Sequence, residues 1–378
     1  AAPRVTKDTG LATIHLNTFD GSAITSTTDA WEGQISLTTD AAGTCPAVEP
    51  VRAKLSGRGN STWTFDKKPF NINLDKKLSL CGMPADKKWA LLAEEYDRSL
   101  LRTTVAMQIG QGMDGLGWTP HVVPVDVYVN GAYQGLYSLI ERVEVGSNRV
   151  DIDPLKNTLT DPPTDWNAEP TVTGGYLMEW DFRKDAPYHF EVGLHGSVSL
   201  DDPADGANGT EITEAQLAYI KGYLNKVDEV LYSKDFADPV TGWRSLIDEK
   251  SAVDSFIALE YTQSFDANLN SSCFMYKGRD SASGPGKLYF GPLWDFDSSM
   301  GDARDPYGLG LPTTWYTRDE NPDVMKQTDV TWVNRLNQDQ AFRAAVAERW
   351  RELKPLFSGL PAFVDSRAEL IEAGADAN

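Results

Sequence analysis

Cysteines, basic residues and long apolar runs are all scarce in this chain. Its 378 residues hold three cysteines, Cys45, Cys81 and Cys273. That is too few for a disulfide framework, and they lack the paired spacing of a zinc site. Cys45 and Cys81 lie in loop-like sequence flanked by Gly and Pro and are the candidates for one bridge. Cys273, inside Cys273-Phe274-Met275-Tyr276, reads as a buried free thiol. No stretch approaches the roughly 18 apolar residues of a membrane-spanning helix, so no transmembrane segment is expected. Only 35 Lys and Arg stand against 55 Asp and Glu, a formal net charge of −20. Nucleic acid is disfavoured as a partner, because phosphate backbones are bound by clustered cations. The balance favours solubility and the attraction of cations or basic partners. A phosphate-bearing ligand would need metal ions or a local basic pocket to offset this field.

Hydrophobic residues at 41% and charged residues at 24% describe an ordinary globular protein, long enough for two lobes. The opening Ala-Ala-Pro-Arg, with no initiator Met, fits what remains after a signal peptidase cuts behind small residues. A secreted or cell-surface protein is expected.

Residues 1–150 are mostly β in character. Leu11 to Leu16, Gln34 to Thr38 and Val51 to Leu55 alternate in part, and Phe70 to Leu74 alternates cleanly. Val123 to Tyr128 and Tyr133 to Ile140 flank Asn130-Gly131, a type I′ hairpin signal. One helix is predicted from about Asp97 to Gln111, with Asp97 as its N-cap. After a Pro- and Asp-rich stretch comes a strand at Gly175 to Trp180. Thr213-Glu214-Ala215-Gln216 reads as a capping box opening a helix. A second helix is expected from about Lys250 to Phe265, and a third from Asp339 to Leu370. The expected architecture is α+β in two lobes: residues 1–150 β-rich with one helix, residues 151–378 mainly helical with a small strand set.

Four segments could carry chemistry. Between Gly291 and Gly301, Asp295 and Asp297 are fenced by Trp294 and Phe296. Carboxylates beside large apolar side chains are costly to bury unless paired or bound to a cation, and hard cations take such oxygen ligands. Two acids capping a turn at a strand end would also account for the block. In Arg58-Gly59-Asn60-Ser61-Thr62-Trp63, small and polar residues offer backbone N–H groups to an anion. Lys67 or Lys68 would add a point charge. Strand alternation puts Lys68 on the face of Phe70 and Ile72, and Lys67 opposite; a surface turn with two solvated lysines is the competing reading. Asp97, five residues before Arg102, could bracket a helix start with it, and a solvated charged face is the competing reading. Finally, where the Lys250 helix runs out, Asp266 with Asn268 or Asn270 could orient a hydroxyl and hold a metal, and a helix C-terminus finished by Asn is the competing reading. Asp295 follows Asp266 by 29 residues, behind a strand-turn-strand passage. In protein kinases the catalytic-loop Asp and the metal-binding Asp stand on either side of such a hairpin.

With these residues assembled, the sequence resembles the CotH family of secreted atypical kinases, named for a spore-coat protein. The matching segments are Arg58 to Trp63 with Lys67-Lys68-Pro69-Phe70, Trp89 to Leu92 with Asp97 to Arg102, and Val125 to Gly131 leading into Gly135-Leu-Tyr137 and Glu141. Gly174-Gly-Tyr176 with Glu179, Asp266 with Tyr276-Lys277, and Gly291-Pro-Leu-Trp-Asp-Phe-Asp297 complete the set. The resemblance implies a bilobal atypical protein-kinase-like fold, ATP, and Mg²⁺ or Mn²⁺, with Ca²⁺ as an alternative. It implies Asp266 as the catalytic aspartate, with Asp295, Asp297 and Asn270 at the metal. Lys68 or Lys67 would contact phosphate. Arg58, Asn60, Ser61, Asp97, Arg102 and Glu141 would support the nucleotide. The chain has no Gly-x-Gly-x-x-Gly loop and no His-Arg-Asp, and its DFG-like triplet is Asp295-Phe296-Asp297. The Arg58 to Thr62 loop is the candidate for covering the phosphates. The expected activity is metal-dependent phosphoryl transfer to protein Ser or Thr hydroxyls. A non-catalytic pseudokinase-like or Ca²⁺-binding surface module is the alternative.

Overall fold

The computed structural model describes residues 8–155, 165–183, 186–193, 195–203, 211–264, 271–301 and 331–378. The chain divides into two compact units. One comprises Ala1–Val105, Pro120–Arg142 and Ser358–Asn378; the other comprises Ala106–Thr119 and Val143–Phe357.

The first unit is built on seven strands: β1 (Thr13–Thr18), β2 (Trp31–Leu37), β3 (Val48–Gly57), β4 (Phe70–Leu78), β5 (Asp86–Leu92), β6 (Val122–Val129) and β7 (Ala132–Glu141). They close into a barrel in the order β1-β2-β3-β4-β5-β7-β6. Every neighbouring pair is antiparallel except β1 and β6, whose parallel register pairs Thr13 with Asp126 and closes the ring. Closure removes the exposed edges that an open sheet would leave. Side chains alternate inward and outward, so Ile14, Leu16, Ile35, Leu55, Ile72 and Trp89 meet in one core. The β6–β7 hairpin turns at Asn130 (φ 48°) and Gly131 (φ 78°), the positive φ pair that a type I′ turn requires. A disulfide joins Cys45 to Cys81, and Cys273 is free.

The second unit holds a five-stranded sheet of β8 (Tyr176–Trp180), β9 (His189–Val192), β10 (Gly196–Asp202), β11 (Cys273–Lys277) and β12 (Leu288–Phe290). Its order is β12-β11-β8-β10-β9, antiparallel throughout. The helices are α1 (Arg102–Gln111), α2 (Glu214–Leu231), α3 (Glu249–Thr262), α4 (Trp332–Asn337) and α5 (Gln340–Ala377). At α2 the Thr213 side chain accepts from the Gln216 amide while Gln216 accepts from the Thr213 amide, so both halves of the capping box form. No helix among the described residues is long and apolar enough to cross a membrane.

These elements overturn the expected bilobal kinase-like fold with a helix-rich second lobe. The chain is α+β, but its β structure is a closed seven-stranded barrel plus a separate five-stranded sheet. Two causes hid this. The pair that closes the barrel joins residues more than a hundred positions apart, which no local pattern reveals. Strands β9 (4 residues) and β10 (7 residues) do alternate, but each offers only two apolar side chains, Phe190 and Val192 or Val198 and Leu200, too short a pattern to mark a strand by itself. Helix α1 starts at Arg102, not near Asp97, because Leu100 sits at φ 62° and breaks the helical path.

Candidate functional site

In the second unit, the block Gly291 to Gly301 follows β12 at the edge of the sheet. Phe296 is buried and Trp294 packs with Val150, Leu177 and Phe274, which anchors the block on both sides of Asp295. Asp295 is half-buried and adopts φ 65°, the left-handed region where a non-glycine residue is strained. Its Oδ2 accepts from the Ser272 hydroxyl at 3.1 Å. Ser272 also lies at positive φ, 58°, directly before β11, and its backbone N–H donates to Glu179 Oε1 at 2.9 Å. Two left-handed residues joined by a hydrogen bond mark a place where packing holds the backbone against its preference.

The neighbouring carboxylates come from β8 and its exit. Arg183 Nε donates to Asp181 Oδ1 at 3.2 Å, and its guanidinium also reaches the Ser271 hydroxyl. Burial holds the Glu179 carboxyl well above the usual range, and the charges of Asp201 and Asp181 push it further the same way. The amide of Ser272 and the charge of Arg183 act against that rise.

Asp266, Asn268 and Asn270 lie outside the described residues, but both flanks of their segment are described. On the upstream side α3 ends at Thr262, whose carbonyl accepts from the Met300 amide at 2.7 Å. On the downstream side stands Ser272, bonded to Asp295. The Asp295 block is therefore bonded to Thr262 on one flank and to Ser272 on the other.

Asp295 keeps Oδ1 without a partner among the described residues, an oxygen of the kind a hard cation takes. No group of three or more His, Cys, Asp or Glu side chains among the described residues is arranged to hold a metal by itself. Asp297 is half-buried beside Phe296.

The remaining sequence-derived residues lie in the first unit. Asp97 is fully buried. It accepts from the backbone amides of Ser99 (2.8 Å), Leu101 (3.0 Å) and Arg102 (2.8 Å), and its carboxylate pairs with the Arg102 guanidinium. The two residues meet, and Asp97 satisfies donors at the start of α1 that the helix itself cannot. Lys68 Nζ donates to the Trp63 carbonyl at 2.7 Å and lies 5.4 Å from the Trp63 ring centroid; no carboxylate among the described residues pairs with it. Lys67 donates to the Leu136 carbonyl and, at 2.6 Å, to Asn378 Oδ1, over the Tyr137 ring. Arg58, Asn60 and Ser61 form the turn between β3 and β4. Gly59 takes φ 82° there, and a Cβ would strike the Thr62 hydroxyl at 2.0 Å. The Glu141 carboxylate is fully buried and accepts from both the His121 amide (2.8 Å) and its ring Nδ1 (2.7 Å).

Residues 55–375 match the family model described as CotH kinase protein. The chain belongs to the CotH kinase protein family. No curated protein matches it. Membership supports a kinase-like function for this chain. Within this CotH chain, sequence reasoning missed Ser272, Asp181 and Arg183 and gave Glu179 no role. One signal was present: Glu179-Trp180-Asp181 repeats the acid-aromatic-acid pattern of Asp295-Phe296-Asp297.

Proposed function

We propose that this CotH kinase protein transfers the γ-phosphate of ATP to Ser or Thr hydroxyls of a protein substrate outside the cell, with Mg²⁺ or Mn²⁺. The observation that carries this reading is the attachment of the Asp295 block to both flanks of the segment that bears Asp266. Phosphoryl transfer asks for positioning and charge neutralisation more than for covalent chemistry. On this reading Asp266 orients the acceptor hydroxyl and draws off its proton. Asp295, with Asn270 and Asp297, holds the cation, and the strained backbone at Ser272 and Asp295 keeps the carboxylate aimed. Lys68, free of carboxylate partners among the described residues, grips phosphate, with Lys67 the alternative. Asp97 and Arg102 fix the start of α1 in the same unit. A bound divalent cation would neutralise charge on the phosphates. Export is supported by the Cys45–Cys81 bridge, which persists in oxidising compartments.

The test is incorporation of labelled phosphate into a protein acceptor, with ATP and Mn²⁺ or Mg²⁺, by the wild type and by Asp295→Ala. Incorporation should vanish in the variant while its thermal melt stays cooperative. Equal incorporation by both proteins sinks the assignment. Stabilisation of the wild type by Ca²⁺ alone, with no effect of ATP plus Mg²⁺, would instead support a non-catalytic cation-binding module.

A further inference from the structure

The first unit holds a small, partly open cavity with room for about one water molecule. Its walls include Glu94, Leu101, Thr104, Leu136, Arg367 and Ile371. Two buried polar atoms on this wall have no hydrogen-bond partner: Glu94 Oε1 and Arg367 Nε. Glu94 is only 5% exposed, and its other oxygen, Oε2, is taken by the Thr103 hydroxyl at 3.1 Å. Arg367 packs its guanidinium over the Phe363 ring. One atom can accept and the other must donate. Leaving both dry would forfeit two hydrogen bonds at one place, which folded proteins rarely tolerate.

We propose that this cavity binds a single water, which donates to Glu94 Oε1 and accepts from Arg367 Nε–H, tying α5 to the barrel. Water fits because it is the right size and bonds in both directions. A bare cation is disfavoured by the guanidinium, and a larger ligand by the apolar side chains that close the space.

Ionisation of Glu94 makes its bond to the water charge-assisted and stronger, so the bridge is linked to protons. Burial pushes the Glu94 carboxyl up to about 7. The Ser138 hydroxyl of β7 opposes that rise, the Asp97 charge adds to it, and the Thr103 hydroxyl and Lys67 charge oppose it. Arg367 of α5 and Tyr137 of β7 also line the cavity. Because the folded value lies above the unfolded one, Glu94's contribution to stability is whole below about pH 4.5. It is lost as pH rises through the folded value. The Arg367–water pair favours the ionised form and limits that loss.

Two measurements on the full chain decide the matter. A crystal structure at pH 8 should show an ordered water within hydrogen-bond distance of Glu94 Oε1 and Arg367 Nε. Denaturant midpoints from pH 5 to 9 should show that Glu94→Gln flattens the profile relative to wild type. Arg367→Met should move the Glu94 step upward by about one pH unit, a roughly tenfold gain in proton affinity. An empty cavity, a direct Glu94–Arg367 contact, or a step at the same pH in wild type and Arg367→Met would each overturn the proposal. The Arg367→Met comparison stands even if Glu94→Gln fails to fold.

Discussion

Asp97 shows how much one carboxylate can carry. It is fully buried, caps three backbone amides and pairs with Arg102, whose side chain is 19% exposed. Removing it would leave a largely buried guanidinium without its partner and orphan several N–H groups. Asp97→Ala should therefore cost about 3 kcal/mol, from the usual penalties for breaking a buried pair and losing a cap. Urea unfolding measures this directly, and a loss below about 1 kcal/mol would show that water replaces the cap without difficulty. The meeting of Asp97 and Arg102 was legible in the sequence because only five positions separate them, although Asp97 is not the N-cap that the sequence suggested. The bond from Ser272 to Asp295 was not, since it joins residues on opposite sides of a hairpin.

Among the elements, α2 is the one whose boundaries local chemistry specifies best. Thr213 and Gln216 cap each other, and Ile220, Leu224, Val227 and Leu231 are buried along one stripe. Replacing Thr213 by Ala removes one half of the box and should cost about 1 kcal/mol, read as a shift in urea midpoint. An unchanged midpoint would mean that the stripe alone holds the helix start. The β6–β7 hairpin was equally readable, because Asn130-Gly131 meets a backbone requirement few other pairs meet. By contrast β9 and β10 owe their place to pairing with each other and with β8. Their own sequence alternates, but over only two apolar residues in each strand, too few to specify a strand without its neighbours.

For the molecule as a whole, pH is the sharpest lever. Burial first, and neighbouring acids after it, raise both Glu94 and Glu179 above the ordinary carboxylate range. Such groups contribute stability that is complete below about pH 4.5 and is lost as pH climbs through their folded values. Asp114 and Asp339 are shifted the other way, Asp114 chiefly by the Lys250 hydrogen bond and Asp339 by Arg244 and Trp243 against its burial. Their contribution fails only as pH falls well below 4. The formal charge of −20 adds self-repulsion at neutral and higher pH. Stability should peak on the acid side of neutrality, near about pH 5 to 6. Denaturant midpoints at pH 5.5 and 8.5 check this, and a higher midpoint at 8.5 would refute it. Glu179→Gln should reduce the difference between the two.

Local order was written in the chain: two-residue alternation in the strands, helix caps, one hairpin turn, and acids set among aromatic rings. Each depends on residues within a turn or a strand of one another, where side-chain chemistry and backbone geometry suffice. Barrel closure through β1 and β6, the second sheet, the bonds from the Asp295 block to Thr262 and Ser272, and the meeting of Glu94 and Arg367 at one cavity were decided only in three dimensions. Those pairings join residues up to 273 positions apart. Their free energy comes from closing edges and sharing buried polar contacts, neither of which exists until the chain has folded back on itself. The carboxylates of Asp295 and Glu179 could be seen in the sequence; that one serine joins them could not.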